Sequence, residues 1–193
     1  MRKKNHGVSN VNEKERILTR SLQSASLSYS KDGLRRFGDH VMLFNGKVEG
    51  FLVTDAFQRL LNTEESYNVS AVKKIHACAR SVFVLDRADK NDGYKDDVIH
   101  YGQRLRLKIN PLLLDKPIHL YSEPSSVNRY SKVSRLQETI FMLKDNFNTV
   151  WILENPDPTN RLESKGLPVG VDDTVLLKHE MTNQWLGSVE KTY

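Results

Sequence analysis

Three stretches of the chain share one pattern of a turn followed by a strand, and this repeat limits the possible folds more than any other feature. The stretches are residues 37–43, 101–107 and 171–177. Aliphatic residues occupy two aligned columns: Val41, Leu105 and Val175 in the first, and Leu43, Leu107 and Leu177 in the second. A spacing of two places both side chains on the same face of a strand. The sequence therefore predicts three copies of one β-unit.

Further strands extend the repeat. A second strand is predicted in each copy, at residues 51–54, 119–122 and 185–188. A third strand is predicted only twice, at residues 81–86 and 149–154, where a hydroxyl residue is followed by Val, an aromatic, a branched aliphatic, Leu and an acid. The step from Leu52 to Phe83 equals the step from Leu120 to Trp151, which is 31 residues. Unrelated strands of similar composition are the alternative, but a shared order and spacing favour a true repeat.

Three copies of such a unit favour an all-β fold of the β-trefoil type, a closed barrel with threefold pseudosymmetry. We predict a basic N-terminal tail at residues 1–36 and a trefoil-like domain at residues 37–193, with repeats at about 37–100, 101–170 and 171–193. The third repeat is incomplete, because its aromatic third strand is missing. Phe83 and Trp151 are expected at equivalent places in the core. Residues 135–144 are expected to form a short amphipathic helix.

Charge is concentrated at the N-terminus. Residues 1–36 carry nine Lys or Arg and three acids, whereas the rest of the chain carries 20 bases and 21 acids. Such an arm attracts an acidic partner surface, although it can equally be a solvated tail. We expect residues 1–30 to pack on other chains rather than on their own domain. The candidate partner-binding residues are Arg2, Lys3, Lys4, Arg16, Arg20, Arg35 and Arg36.

Residue patterns that carry chemistry are scarce. Cys78 is the single cysteine, which excludes an internal disulfide and a cysteine-based zinc site. The histidines are scattered, and no glycine-rich phosphate loop occurs. Residues 86–97 hint at a calcium loop, but a solvated turn is the preferred interpretation because the glycine is misplaced and no closing glutamate follows. We therefore predict no catalytic, cofactor or metal site, and neither a secretory leader nor a membrane span.

One tryptophan, one histidine and the single cysteine are interpreted as structural residues. Trp185 is expected in the core, as Trp151 is. His179 is expected to be a hydrogen-bonded histidine of the framework. Cys78, between two alanines, is expected to be a small buried residue.

Two resemblances add to this interpretation. The repeated Gly-Asp-x-Val-x-Leu pattern, followed by x-Leu-x-Ser/Thr, resembles the MIR module, a β-trefoil. Residues 37–45, residues 101–103 and much of residues 156–183 resemble the family of cilia- and flagella-associated protein 161, in the same order. The likeness covers roughly residues 30–190, while the family's longer N-terminal segment and its last strands have no counterpart here.

The second resemblance implies a function that composition does not reveal. Members of that family are microtubule inner proteins, which lie in the A-tubule lumen of ciliary doublet microtubules and bind α/β-tubulin and other luminal proteins. It implies a structural protein of the axoneme in the cytoskeleton, with no enzyme activity and no cofactor. The alternative is a cytoplasmic MIR-type trefoil that binds a peptide or a glycan. Nucleic acid is disfavoured as a partner because Tyr29 is the only aromatic before Phe37.

Overall fold

The computed structural model describes residues 15–55, 57, 59–61, 64–127 and 129–189. Eleven strands are present in this part of the chain: β1 (His40–Val41), β2 (Phe44–Asn45), β3 (Gly50–Thr54), β4 (Arg59–Leu61), β5 (Glu64–Val72), β6 (Phe83–Arg87), β7 (Arg104–Ile109), β8 (His119–Ser122), β9 (Thr139–Met142), β10 (Trp151–Glu154) and β11 (Leu176–His179). Residues 15–21 are helical, Phe147–Thr149 form a 3-10 turn and Arg161–Ser164 form one short α-helical turn. The predicted all-β class is confirmed.

Strand pairing confirms the alignment of the repeats. Within the first repeat Val41 of β1 lies opposite Phe83 of β6, and within the second Leu105 of β7 lies opposite Trp151 of β10. Between repeats, β6 pairs with β7 and β10 pairs with β11, and both junctions place a leucine opposite a leucine. These pairs are Leu85 with Leu107 and Leu153 with Leu177.

The turn that opens each repeat is also built in the same way three times. An acceptor side chain binds the backbone N–H of the residue three positions earlier, at 2.9, 2.9 and 2.7 Å. The acceptors are Asp39, Gln103 and Asp173, each two residues before the first aliphatic column. Gly38 and Gly102 adopt φ values of 89° and 84°, which a side chain would strain. The hydrogen bonds and backbone angles of these turns therefore set the direction in which each first strand enters the barrel.

The strands form a curled antiparallel sheet. The barrel strands follow the order β1-β6-β7-β10-β11, and every neighbouring pair is antiparallel. The remaining strands form a second layer in which β8, β9, β5, β3 and β2 are successive neighbours and β4 pairs with β5. Between them lies one main apolar core.

The core contains both predicted aromatic anchors. Phe83 and Trp151 are almost completely buried, as predicted. Phe83 stacks on Phe141 with ring centroids 5.2 Å apart, and the Trp151 indole N–H donates to the Leu120 carbonyl at 3.0 Å. Burial of such large side chains contributes most of the stabilisation in a domain of this size.

The N-terminal segment packs differently from what its polarity predicts. From Ser21 onward it binds the body: the Ala79 and Arg80 amides donate to Gln23 and Ser21, and the Ala25 amide donates to Ala77. Ser21 and Ala25 are buried. The prediction that residues 1–30 pack on other chains is therefore wrong from Ser21 onward, because backbone hydrogen bonds and small side chains replace an apolar face. Residues 1–14 lie outside the described part, and the division at residue 36 stays a prediction.

Two local predictions are also wrong. Residues 135–144 do not form a helix, because Arg135 adopts a φ of 64° and β9 then inserts between β8 and β5. Phe141 faces the main core, while Ile140 and Met142 pack with Tyr121 on the other face. Burial on both faces hides the alternation that normally indicates a strand. Residues 185–188 form no strand, although Trp185 makes a bridge to Lys178.

Candidate partner-binding surfaces

The predicted basic residues fall into three groups. Arg2, Lys3 and Lys4 lie outside the described residues. Arg16 and Arg20 are one turn apart on the helical segment 15–21, and both are exposed. Arg35 and Arg36 lie on the body, so the structure does not bring the seven residues together in one patch. Their role as partner-binding residues stays a prediction.

Arg35 and Arg36 both have acceptors within the chain. Arg36 donates from both terminal nitrogens to the Asp32 carboxylate, at 3.0 and 2.6 Å. The hydrogen bonds from Arg36 hold the pKa of Asp32 far below its ordinary value. Arg35 donates to the Val171 carbonyl at 3.2 Å and lies 4.0 Å from the Asp39 carboxylate. Arg35 thereby ties the segment to the start of the third repeat.

An exposed tryptophan forms a platform that the sequence did not predict. Trp185 is 42% exposed, so its assignment to the core is wrong. The Arg161 guanidinium lies 4.8 Å from its ring centroid and the Lys178 ammonium 5.9 Å away, and Glu154 forms an ion pair with Lys178. Exposed aromatic and arginine side chains of this kind are enriched at protein interfaces.

Strand alternation explains why Trp185 faces outward. The neighbouring Leu186 occupies the inward column, and its amide donates to the Leu177 carbonyl as Leu52 donates to Leu43. Trp185 is therefore equivalent to Phe51, which contacts the exposed Phe44 at a centroid distance of 4.9 Å. The equivalent residue of the second repeat, His119, is buried, so the repeat pattern alone does not indicate that Trp185 is exposed.

A polar groove lies where the first and second repeats meet. It has a volume of about 630 Å³, and its lining includes Tyr94, Tyr101, Gln103, Arg104 and Lys165. Tyr101 donates to the Asp173 carboxylate at 2.9 Å, and burial together with this bond raises its pKa to about 12. The tyrosine therefore stays protonated and acts as a fixed donor.

The suspected calcium loop lies beside this groove, and its best-placed carboxylate already has partners. Asp92 accepts from Arg87 at 2.8 Å and from the Gln103 amide at 2.6 Å. Burial raises the pKa of the Asp92 carboxyl, but the bonds from Gln103 and Arg87 outweigh it and leave the pKa below its ordinary value. Within the described ranges, no group of three or more His, Cys, Asp and Glu side chains is arranged to hold a metal ion.

The structural predictions for His179 and Cys78 are confirmed, since both are fully buried. His179 accepts from the Thr182 hydroxyl through Nδ1 at 2.8 Å, and its Nε2–H donates to the Asn148 carbonyl at 3.1 Å. Burial lowers the pKa of His179, so the imidazole is neutral. It lies opposite Trp151 and completes the core rather than a site.

Solved structures of other proteins share this fold. The crystal structure of the SDF2-like protein from Arabidopsis thaliana matches with a TM-score of 0.62 over 83% of this chain and 81% of that one, at 17% identity. A Caenorhabditis elegans protein of unknown function matches with a TM-score of 0.63 over 86% and 84%, at 16% identity. These likenesses define the chain as a β-trefoil-like protein, as its repeat predicts.

Sequence comparison then identifies the family. The model of the cilia- and flagella-associated protein 161-like domain matches residues 14–193, so the chain belongs to this family. The protein of that name from Danio rerio is 30% identical over 92% of this chain, and that from Bos taurus is 28% identical over 95%. The chain spans 64% and 61% of the length of these two relatives. Among the described residues, no helix has the length and apolar character needed to cross a membrane.

Proposed function

We propose that this protein is a structural microtubule inner protein of motile cilia. In this role it binds α/β-tubulin and neighbouring luminal proteins inside the A-tubule of the doublet and stabilises the axoneme. The observation that carries the proposal is the family match, which extends over residues 14–193 and therefore includes the fold and its surfaces.

The surfaces of the molecule support a binding role rather than a catalytic one. The Trp185 platform and Phe44, which is exposed beside Phe51, present aromatic side chains, and Arg16 and Arg20 present positive charge. Tubulin has an acidic surface, and such a surface attracts a basic arm. We propose neither an enzyme activity nor a nucleic-acid or membrane partner.

Axoneme fractionation tests the location. The full chain, tagged and expressed in ciliated cells, should remain with demembranated axonemes after a salt wash, because a luminal protein is enclosed by the tubule wall. Subtomogram averages of doublets with and without the protein should then differ inside the A-tubule. Recovery in the detergent-soluble fraction, or a density difference outside the tubule, would contradict the proposal.

A second candidate function is recognition of a glycan or a peptide in the polar groove. Fixed donors and acceptors beside the aromatic rings of Tyr94 and Tyr101 are typical of such sites. Chemical-shift perturbation of the purified chain with glycan and peptide libraries tests this. Saturable shifts confined to the groove and lost in Tyr94→Ala, whose ring is partly exposed, would favour it over the structural role.

A further inference from the structure

The chain contains three sites at which an aspartate or an asparagine directly precedes a glycine, namely Asp32–Gly33, Asn45–Gly46 and Asp92–Gly93. At such a site the glycine nitrogen can attack the preceding side-chain carbonyl, because glycine has no side chain to hinder the approach. The fold places these three side chains in different surroundings, and the difference marks Asn45 as the reactive one.

The two aspartates are held as carboxylates. Arg36 donates to the Asp32 carboxylate from both terminal nitrogens, and these hydrogen bonds keep the pKa of Asp32 below its ordinary value. Burial raises the pKa of Asp92, but the bonds from Gln103 and Arg87 outweigh it and leave the group ionised. An ionised carboxylate resists attack by an amide nitrogen, because the attack adds further negative charge to an anion. Neither aspartate is therefore expected to react.

Asn45 is neutral, and backbone N–H groups polarise its side-chain carbonyl. The Lys47 amide donates to Asn45 Oδ1 at 2.9 Å, and the Val48 amide donates to the same oxygen at 3.4 Å. Two N–H groups aimed at one oxygen stabilise the negative charge that develops there when the carbonyl carbon is attacked. The turn between β2 and β3 thus supplies the kind of stabilisation that an oxyanion hole supplies.

The same turn holds the reacting atoms together. The bond from the Lys47 amide to Oδ1 closes a hydrogen-bonded ring that contains both Asn45 Cγ and the Gly46 nitrogen. The Gly46 amide donates no hydrogen bond to any described residue. Gly46 is exposed, and a Cβ placed on it would meet nothing within 4 Å, so the turn is open to solvent on this side. The Gly46 nitrogen can therefore lose its proton to water and attack a carbon that is held beside it.

We propose that the turn between β2 and β3 promotes the conversion of Asn45 to aspartate and isoaspartate. The Gly46 nitrogen attacks Asn45 Cγ, and the new C–N bond closes a succinimide ring. The bond from Cγ to Nδ2 breaks, and the proton lost by Gly46 passes through water to the leaving nitrogen, which departs as ammonia. Water then opens the succinimide at either carbonyl and gives an aspartyl or an isoaspartyl linkage. Water is the only reactant that the two steps consume.

The two products differ in their effect on the hairpin. The aspartate keeps an oxygen in place for the Lys47 and Val48 amides, and it adds a negative charge beside the exposed Phe44. The isoaspartate adds a carbon to the main chain of β2, opposite Gly50, and thereby disturbs the register with β3. Only the effect of these changes on partner binding rests on the proposed function.

Incubation of the purified 193-residue protein in neutral buffer tests the reaction. Peptide mapping by mass spectrometry should find the amide-to-acid mass gain at Asn45, and chromatography should resolve its two isomers, while Asp32 and Asp92 stay unmodified. A synthetic peptide of residues 41–50 provides the unfolded reference. Asn45 should convert about tenfold faster in the folded protein than in the peptide, because the peptide does not hold the two N–H donors in place.

A matched pair of glycine variants locates the reaction. Gly46→Ala should slow the conversion by more than about tenfold, because the added methyl group hinders the approach to Asn45 Cγ. Gly187→Ala should leave the rate unchanged, although an added Cβ meets nothing within 4 Å at either position. If Gly46→Ala fails to fold, the comparison of the folded protein with the peptide decides the result. No conversion of Asn45, conversion no faster than in the peptide, or equal rates in the two variants would overturn the proposal.

Discussion

Strands β7 and β11 occupy equivalent places in the repeat but have different surroundings. Leu105 and Leu107 of β7 are fully buried between two neighbouring strands, whereas Val175, next to β11, is only partly buried and has no strand partner among the described residues. The two strands have similar apolar patterns, so the difference comes from their neighbours. The pattern of a strand thus specifies its inward face, while its stability depends on what pairs with its edges.

The two tryptophans give the largest expected contrast between these regions. Trp151→Ala should destabilise the fold by about 3–5 kcal/mol, because it empties a buried site and removes the bond to Leu120. Trp185→Ala should cost less than about 1 kcal/mol, because it removes only an exposed ring and its cation–π contacts. Urea unfolding of both variants measures the difference. Equal losses would mean that the third repeat is as tightly packed as the second.

The leucine column compares the three repeats at one position. Leu107→Ala should cost about 3 kcal/mol, within the range for fully buried leucines. Leu43→Ala and Leu177→Ala should cost about 1–2 kcal/mol, because both side chains are less completely enclosed than Leu107. The same denaturant series checks this. A larger loss at Leu43 or Leu177 than at Leu107 would contradict this difference in enclosure.

The polar junction between the first two repeats has a smaller expected effect. Asp92→Ala should destabilise the protein by about 2 kcal/mol, because it leaves Arg87 and Gln103 without their shared acceptor. The matched control Asp89→Ala, on the exposed part of the same loop, should stay within about 0.5 kcal/mol. Thermal melts of the two variants separate the outcomes. No loss of stability in Asp92→Ala would show that this junction does not stabilise the protein.

The smallest expected effect is on the pH dependence of stability. His179 in the third repeat is equivalent to Ile109 in the second, and its pKa is lowered by burial. The unfolded chain therefore binds more protons near the ordinary histidine pKa of about 6.5, so stability falls as the pH falls through and below that value. The pH dependence of unfolding should be shallower in His179→Gln. An unchanged dependence would show that His179 does not contribute to it.

Residue spacing predicted the repeat well because a barrel needs inward side chains at fixed intervals. The columns at Val41 and Leu43 and the buried aromatics Phe83 and Trp151 follow from it. The docking of Ser21 and Ala25 could not be predicted, since it depends on backbone hydrogen bonds that leave no side-chain pattern. Strand β9 was mistaken for a helix because both its faces are buried. The Trp185 platform was missed because the repeat pattern does not indicate exposure at this position, where the equivalent His119 of the second repeat is buried.

Amide hydrogen exchange of the isolated protein tests most directly whether neighbouring strands decide the stability of each repeat. The account predicts slow exchange along β7, where Leu105 and its neighbours bond to strands on both sides. It predicts fast exchange at Val175 and Met42, whose backbone amides make no hydrogen bond to any described residue. Slow exchange at Val175 and Met42, equal to that of β7, would contradict the account.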